Sequence, residues 1–271
     1  MQCILPTMFD DFADAYEAMI DWPKRLAHET PFYRRLFARL GAESVIDVAC
    51  GTGQHAAMFH SWGLRVEGAD LSPAMIERAK ASFGQTQGIH LAVRGFDEPI
   101  ESVATSKGTV PFSLGRKSGQ SPAEPFDVAI CVGNSLALAP DAATVERAIR
   151  QMLAAVRDGG AIVVQVLNLW RLLDGPCVWQ KCRRVASPHD ALILKGVHRC
   201  GNRGYVDLIV TDLSGNVSMR SESTSFLGLE ASDLDRMARA AGARTVATFG
   251  GYQDQPYERQ QSVDLVLVAE K

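Results

Sequence analysis

Val45-Ile46-Asp47-Val48-Ala49-Cys50-Gly51-Thr52-Gly53-Gln54-His55-Ala56 opens the unit that decides the fold, and Leu64-Arg65-Val66-Glu67-Gly68-Ala69-Asp70 closes it. Residues 45–49 are a short apolar run broken only by Asp47, the pattern of a strand buried in a parallel sheet. Gly51 and Gly53 supply a turn, residues 54–62 have helical character, and residues 64–69 read as a second strand with Asp70 at its end. This is a βαβ unit with glycines at the carboxyl end of its first strand, where open α/β sheets bind ligands. Glycine admits positive φ and lets a ligand approach the backbone. A carboxylate at the end of the second strand can accept hydrogen bonds from both hydroxyls of a ribose. Gly51-x-Gly53-x-x-Ala56 followed by Asp70 fits the loose dinucleotide fingerprint. The competing reading is a tight strand-to-helix turn without a ligand, and the acid at the right offset counts against it.

The wording of the loop is more specific than its spacing. Asp47-Val48-Ala49-Cys50-Gly51-Thr52-Gly53 resembles motif I of class I S-adenosylmethionine-dependent methyltransferases, and Val66-Glu67-Gly68-Ala69-Asp70-Leu71-Ser72-Pro73-Ala74-Met75 resembles their second motif. The resemblance implies that the backbone from Ala49 through Gly51 and Gly53 approaches the methionine part of the cofactor. It also implies that Asp70 binds the ribose hydroxyls, with Leu71 beside it, and that Met75 packs on the adenine. His55, just after the loop, either touches cofactor or substrate or is structural. Gly95-Phe96-Asp97 follows the third strand, residues 89–93, where the family has an acid or amide near the adenine. Asp97 falls one residue late, which leaves both Phe96 and Asp97 as candidates.

A second match lies at the end of the fourth strand, residues 126–132. Val132-Gly133-Asn134-Ser135, an apolar stretch and Pro140-Asp141 resemble glycine and sarcosine N-methyltransferase-like proteins. The segment lies beside the transferring methyl in that family. Asn134 would orient an amine or the cofactor's amino group; alternatively it caps the next turn.

Residues 8–40 read as helical, with breaks at Trp22-Pro23 and Thr30-Pro31. Tyr16, Trp22 and Arg25 within this segment resemble the same family's N-terminal lid. The implied roles are Arg25 clamping the methionine carboxylate with its fork of donors and Tyr16 and Trp22 closing the pocket. The alternative has both aromatics as core anchors and the arginine on a solvated face.

Ser72 is an N-cap signal with Pro73 behind it, opening a helix that ends at Gly84. Residues 142–156 form an amphipathic helix stopped at Asp158-Gly159-Gly160, and residues 161–167 a fifth strand. Four further strand-like runs, 179–186, 191–200, 205–213 and 217–226, are joined by hairpin signals such as Gly201-Asn202 and Ser214-Gly215-Asn216. A helix over 232–241 follows, with Ser232 as N-cap and Gly242 as C-cap, then strands over 244–249 and 263–270. The expected fold is an α/β, Rossmann-like class I methyltransferase sheet, mostly parallel with an antiparallel last strand. Residues 1–40 are expected to form an N-terminal helical lid. Residues 41–170 and 227–271 form the core, with 102–124 as a flexible insertion, and 171–226 an inserted antiparallel β-meander.

At 271 residues the chain can bury a sizeable core. A net charge of −3 without blocks of like charge argues against nucleic acid as a partner. No apolar run approaches the roughly 18 residues of a membrane span. Residues 1–11 have no basic region or long apolar stretch and do not read as a signal peptide. Six cysteines without C-x-x-C spacing imply neither zinc nor a disulfide framework, and a reduced cytoplasm is the natural setting. The expected function is methyl transfer from S-adenosylmethionine to a small molecule, leaving S-adenosylhomocysteine, with no metal and no assigned catalytic residue. The acceptor reads as an amine, with glycine or sarcosine, another amine, an amino sugar or a hydroxyl all open. The meander either covers the substrate or serves as a homo-oligomer contact. The alternatives are a non-catalytic protein that binds the same cofactor and an NAD(P)-dependent oxidoreductase.

Overall fold

The computed structural model describes residues 17–84, 86–100, 124–185 and 190–271. Helix α1 (Trp22–Leu40) leads into a strand–helix alternation: β1 (Ser44–Asp47), α2 (Gln54–Ser61), β2 (Arg65–Asp70), α3 (Pro73–Phe83), β3 (Ile89–Val93), β4 (Phe126–Cys131), α4 (Ala142–Ala155) and β5 (Val156–Leu167). Four strands follow in succession, β6 (Val178–Val185), β7 (Ala191–Cys200), β8 (Arg203–Asp212) and β9 (Ser218–Leu227). Helix α5 (Ala231–Ala240), β10 (Thr245–Phe249) and β11 (Asp264–Glu270) close the chain.

The central sheet has the order β10-β11-β5-β4-β1-β2-β3. Its pairs from β3 to β5 are parallel, and β11 runs antiparallel to both β5 and β10. The order reverses between β1 and β4, so the carboxyl ends of these strands flank the crevice where ligands of such sheets bind. One apolar layer joins β4 and β5 to α4 and α5, around Phe126, Ile149, Ile162 and Leu234. The opposite layer joins Phe32, Tyr33 and Phe37 of α1 to Val45, Phe59 and Val128. The second half of α1 is therefore part of the core, while its first turn carries Trp22 and Arg25. The inserted sheet β6-β7-β8-β9 is a separate antiparallel meander.

Three local readings need correction. The expected break at Thr30-Pro31 is absent: α1 runs through Pro31. An interior proline costs about 3 kcal/mol. The buried face of Phe32, Tyr33, Leu36 and Phe37 outweighs it, and Thr30 Oγ1 donates to the Leu26 carbonyl at 2.7 Å in the weakened turn. Helix α4 ends at Ala155 and not at the glycines, because Val156 is already extended (φ −92°, ψ 148°). Gly159 and Gly160 instead lie in β5, beside a register shift against β4. A Cβ on Gly160 would come 2.6 Å from the Asp127 carbonyl oxygen. Ser232 is not an N-cap. Helix α5 starts one residue before it, after Glu230, whose side chain makes no capping bond, and the helix is capped at its other end by Ala241, one residue before Gly242. The 102–124 insertion, apart from Glu124, and Tyr16 lie outside the described residues.

Candidate active site

Past β1 the chain keeps its sheet hydrogen bonds for two residues and then turns over. The Val48 N–H donates to the Ile130 carbonyl at 2.9 Å and the Cys50 N–H to that of Ala69 at 2.8 Å. Gly51 and Gly53 sit at φ +52° and +83°, conformations open to glycine at little cost. A Cβ on Gly53 would press on Phe83 and Ala79 of α3, at 3.2 and 3.3 Å, whereas one on Gly51 would meet nothing within 4 Å. Gly53 thus serves helix packing, and Gly51 fronts open space.

Asp70 ties this loop to α3. Its Oδ2 accepts from the Gly51 N–H at 2.8 Å and its Oδ1 from the Ser72 N–H at 2.9 Å. Ser72 Oγ in turn accepts from the Met75 N–H at 3.2 Å, the cap read from the sequence. Two backbone donors orient the Asp70 carboxylate at the mouth of the loop. Beneath the loop, Asp47 is 1% exposed. Its Oδ1 accepts from the Ala49 N–H at 3.2 Å, and its Oδ2 has no partner among the described residues. Burial pushes its pKa up from 3.8 to about 6.

The first turns of α1 close over the loop. Glu29, 3% exposed, is held from two sides: Arg25 Nε donates to its Oε1 at 2.8 Å, and His55 Nε2 meets its Oε2 at 2.7 Å. Burial raises the Glu29 pKa, but the His55 hydrogen bond and the charges of His55 and Arg25 outweigh it and hold the carboxyl below its ordinary range. Trp22 meets His55 edge-on at 5.8 Å, with the Arg25 guanidinium 5.1 Å from its ring centre. Glu17 bridges helix and loop, accepting from Trp22 Nε1 at 2.8 Å and Thr52 Oγ1 at 2.5 Å.

These groups enclose a cleft. Of the residues named from sequence, Trp22, Arg25, Ala49, Gly51, His55, Asp70, Leu71, Met75, Phe96, Val132 and Gly133 line it. Gly53, Asp97 and Asn134 do not. Asp97 turns away to Arg147, whose Nη2 donates to it at 3.1 Å, so Phe96 is the one of the pair at the cleft. Asn134 adopts φ +69° and accepts the Leu167 N–H on its Oδ1 at 2.9 Å, locking the end of β4 to β5. Sequence reasoning missed Glu17, Val48, Cys50, Thr52, Ser72, Ser135 and Leu138. The loop positions among them could have been named from their adjacency to the glycines. Glu17 had no such signal.

A second cavity of about 790 Å³ lies under the inserted sheet. Arg25, Gly133 and Leu138 line both cavities. A Cβ on Gly133 would stand 3.7 Å from Arg25 Nη2, so the guanidinium sits against the backbone of the shared wall. The second cavity also takes Asn134, Gln165, Lys181, Lys195, Leu208, Tyr252 and Asp264.

The cleft fits a nucleoside cofactor with an amino-acid end. Leu71, Met75, Phe96 and Leu138 offer apolar walls for a base, Asp70 supplies acceptors for a diol, and Arg25 supplies a cation at the other end. On the outer face of the inserted sheet, Cys177, His198 and Asp207 bring ligand-type atoms within 4.8 Å of one another. His198 Nδ1 and Asp207 Oδ2 are 2.8 Å apart, an ordinary hydrogen-bonding distance. Among the described residues no helix is long and apolar enough to cross a membrane.

A family profile described as "Methyltransferase domain" matches residues 45–160. The glycine/sarcosine N-methyltransferase of Parasynechococcus marenigrum (strain WH8102) is 31% identical over 166 residues, 61% of this chain and 52% of that protein. The dTDP-4-amino-2,3,4,6-tetradeoxy-D-glucose N,N-dimethyltransferase of Saccharopolyspora spinosa is 28% identical over 160 residues, 57% of this chain and 54% of that protein. The chain thus spans about half the length of these relatives. The fold is similar to that of the sugar N-methyltransferase KedS8 from Streptoalloteichus sp ATCC 53650, with a TM-score of 0.71 at 23% identity over 100% of this chain and 95% of that one.

Proposed function

We propose that this chain is a class I S-adenosylmethionine-dependent methyltransferase that transfers the cofactor's methyl group to an amine of a small molecule. One observation carries the reading: the cleft with the nucleoside-type lining shares a wall of Arg25, Gly133 and Leu138 with the 790 Å³ cavity. Methyl transfer needs donor and acceptor in line and out of water, and two adjoining cavities supply that arrangement. The amine is favoured because the relatives named above are N-methyltransferases of amino acids and of an amino sugar.

The cofactor, when bound, supplies a methyl carbon already activated by a sulfonium. The residues of this chain bind, orient and exclude water. Asp70, fixed by the Gly51 and Ser72 N–H groups, accepts from the ribose hydroxyls. Met75 and Phe96 flank the adenine. Arg25, oriented by Glu29, takes the methionine carboxylate, and Trp22 with the Glu17 bridge covers the loop. Asn134, held by the Leu167 N–H, shapes the rim of the acceptor cavity through its backbone. Residues 41–170 and 227–271 then act as the cofactor-binding core and 171–226 as the acceptor cover.

The test is incubation with methyl-labelled S-adenosylmethionine and separate pools of amino acids, amino sugars and other amines, read by mass spectrometry. Label in an N-methyl product supports the reading. Cofactor binding without transfer to any pool would leave a non-catalytic binding protein, and binding of NAD(P) in place of S-adenosylmethionine an oxidoreductase.

A further inference from the structure

Lys181 and Lys195 stand directly opposite each other in the pairing of β6 with β7, and both line the second cavity. Like charges across a strand pair repel. Among the described residues nothing relieves the second of them. Lys181 Nζ donates to the Met19 carbonyl at 2.8 Å, whereas Lys195 has no hydrogen bond or ion pair recorded among the described residues. The acids of the same cavity are otherwise engaged. Glu29 holds Arg25 and His55, Asp21 caps the Lys24 N–H, and Asp264 accepts from Gln165 Nε2 at 2.8 Å. Burial lowers the affinity of both lysines for their protons, and the nearby Arg25 lowers it further. A partly buried cation with no carboxylate partner among the described residues is stabilised when an anion completes it.

We propose that Lys195, with Lys181 beside it, forms the subsite of the acceptor cavity that holds an acidic group, a carboxylate or phosphate, of the molecule to be methylated. This rests on the reading of the cavity as the acceptor site. The subsite lies on the inserted sheet, in the cavity whose Arg25, Gly133 and Leu138 form the wall shared with the cofactor cleft. Size and charge are thereby selected by the insertion, and the methyl donor by the core.

The chain has seven lysines, few enough for each side chain to be followed by NMR after labelling lysine with carbon-13 at Cε. The Lys195 resonance is assigned by its loss in Lys195→Met, or in Lys195→Arg if the first variant does not fold. Calorimetry of S-adenosylhomocysteine binding to parent and variant comes first. Equal affinity in the two leaves the cofactor reading standing whatever the anion result, and no binding to either sinks that reading separately. With the homocysteine product bound, the protein is titrated with acetate, inorganic phosphate and, as a neutral control, acetamide. The subsite predicts that acetate or phosphate moves the Lys195 titration midpoint upward by about half a pH unit or more, while acetamide does not. The more effective anion identifies the acidic group as carboxylate or phosphate. A midpoint that neither anion moves, or that all three probes move alike, overturns the proposal.

Discussion

Asp47→Asn should stabilise the fold, and more so as the pH rises. The carboxylate is 1% exposed, and its Oδ2 is unpartnered among the described residues. Burial lifts its pKa from 3.8 to about 6. The charge of His55, the Ala49 N–H and the charge of Arg25 pull it down, and the charge of Asp70 adds to the rise. At 1.36 kcal/mol per pKa unit this displacement is worth about 3 kcal/mol. The folded group holds its proton more tightly than the unfolded one. Its favourable contribution is therefore complete below about pH 3.8 and is lost as the pH climbs through about 6.

Asparagine keeps an oxygen for the Ala49 N–H and stays neutral throughout. The advantage of the variant over the parent should thus grow by about 1.4 kcal/mol between pH 5 and pH 8, a few degrees in Tm for a chain of this length. Urea unfolding of the ligand-free proteins at pH 5, 6, 7 and 8 measures it, and the difference between proteins cancels the titration of every other group. A parent-to-variant difference that stays flat, or shrinks toward pH 8, would refute the assignment of a buried, ionised Asp47.

Asp70→Ala removes the clasp on the Gly51 and Ser72 N–H groups and the proposed ribose acceptor; charge-assisted bonds of this kind are worth about 1.5–3 kcal/mol. Calorimetry should find affinity for S-adenosylhomocysteine reduced about tenfold or more in a folded variant. Arg25→Lys keeps the charge but loses the planar fork: affinity for S-adenosylhomocysteine should fall while that for methylthioadenosine, which lacks the carboxylate, holds. Equal losses would mean that Arg25 only shapes the first turns of α1. Gly204→Ala would set a Cβ 2.1 Å from Cζ of the buried Phe226. It should lower stability by about 1–3 kcal/mol, seen as a lower Tm, with cofactor affinity nearly unchanged because the clash lies in the inserted sheet.

The central fold was legible because its signals are local. The glycine turn, Asp70 and the Ser72 cap lie within one βαβα stretch, and each has one conformational use. The run-on of α1 through Pro31 was not legible, since a proline reads as a breaker until the burial of Phe32, Tyr33 and Phe37 is known. Phe96 and Asp97 could not be told apart because neighbouring residues leave the chain in different directions, and only the position of Arg147 decides where Asp97 goes. The contact of Glu17 with Thr52 spans 35 residues and leaves no periodic trace. The Lys181–Lys195 pair depends on the register of two strands, one with an irregularity between Trp179 and Lys181, which no count along the sequence yields.

A group that weakens the fold by about 3 kcal/mol when ionised needs a compensating use, and the charge around Asp47 suggests one. Asp47 and Asp70 lie under and beside the cofactor cleft and Glu17 lines it, while among the described lining residues Arg25, paired with Glu29, supplies a cation. The second cavity is lined by cations and acids together, Lys24, Arg25, Lys181 and Lys195 with Asp21, Glu29 and Asp264. An acidic cleft favours a cationic ligand over a neutral one of the same shape. S-adenosylmethionine carries the sulfonium charge, and S-adenosylhomocysteine does not. Asp47→Asn should therefore weaken S-adenosylmethionine binding several-fold while leaving S-adenosylhomocysteine nearly untouched, and the gap between the two should close in the parent as the pH falls below about 6. Calorimetry with both ligands at pH 5 and pH 8 reads this directly. If the two ligands lose affinity together, Asp47 acts on the shape of the loop through the Ala49 N–H, and its negative charge has no part in choosing the cofactor.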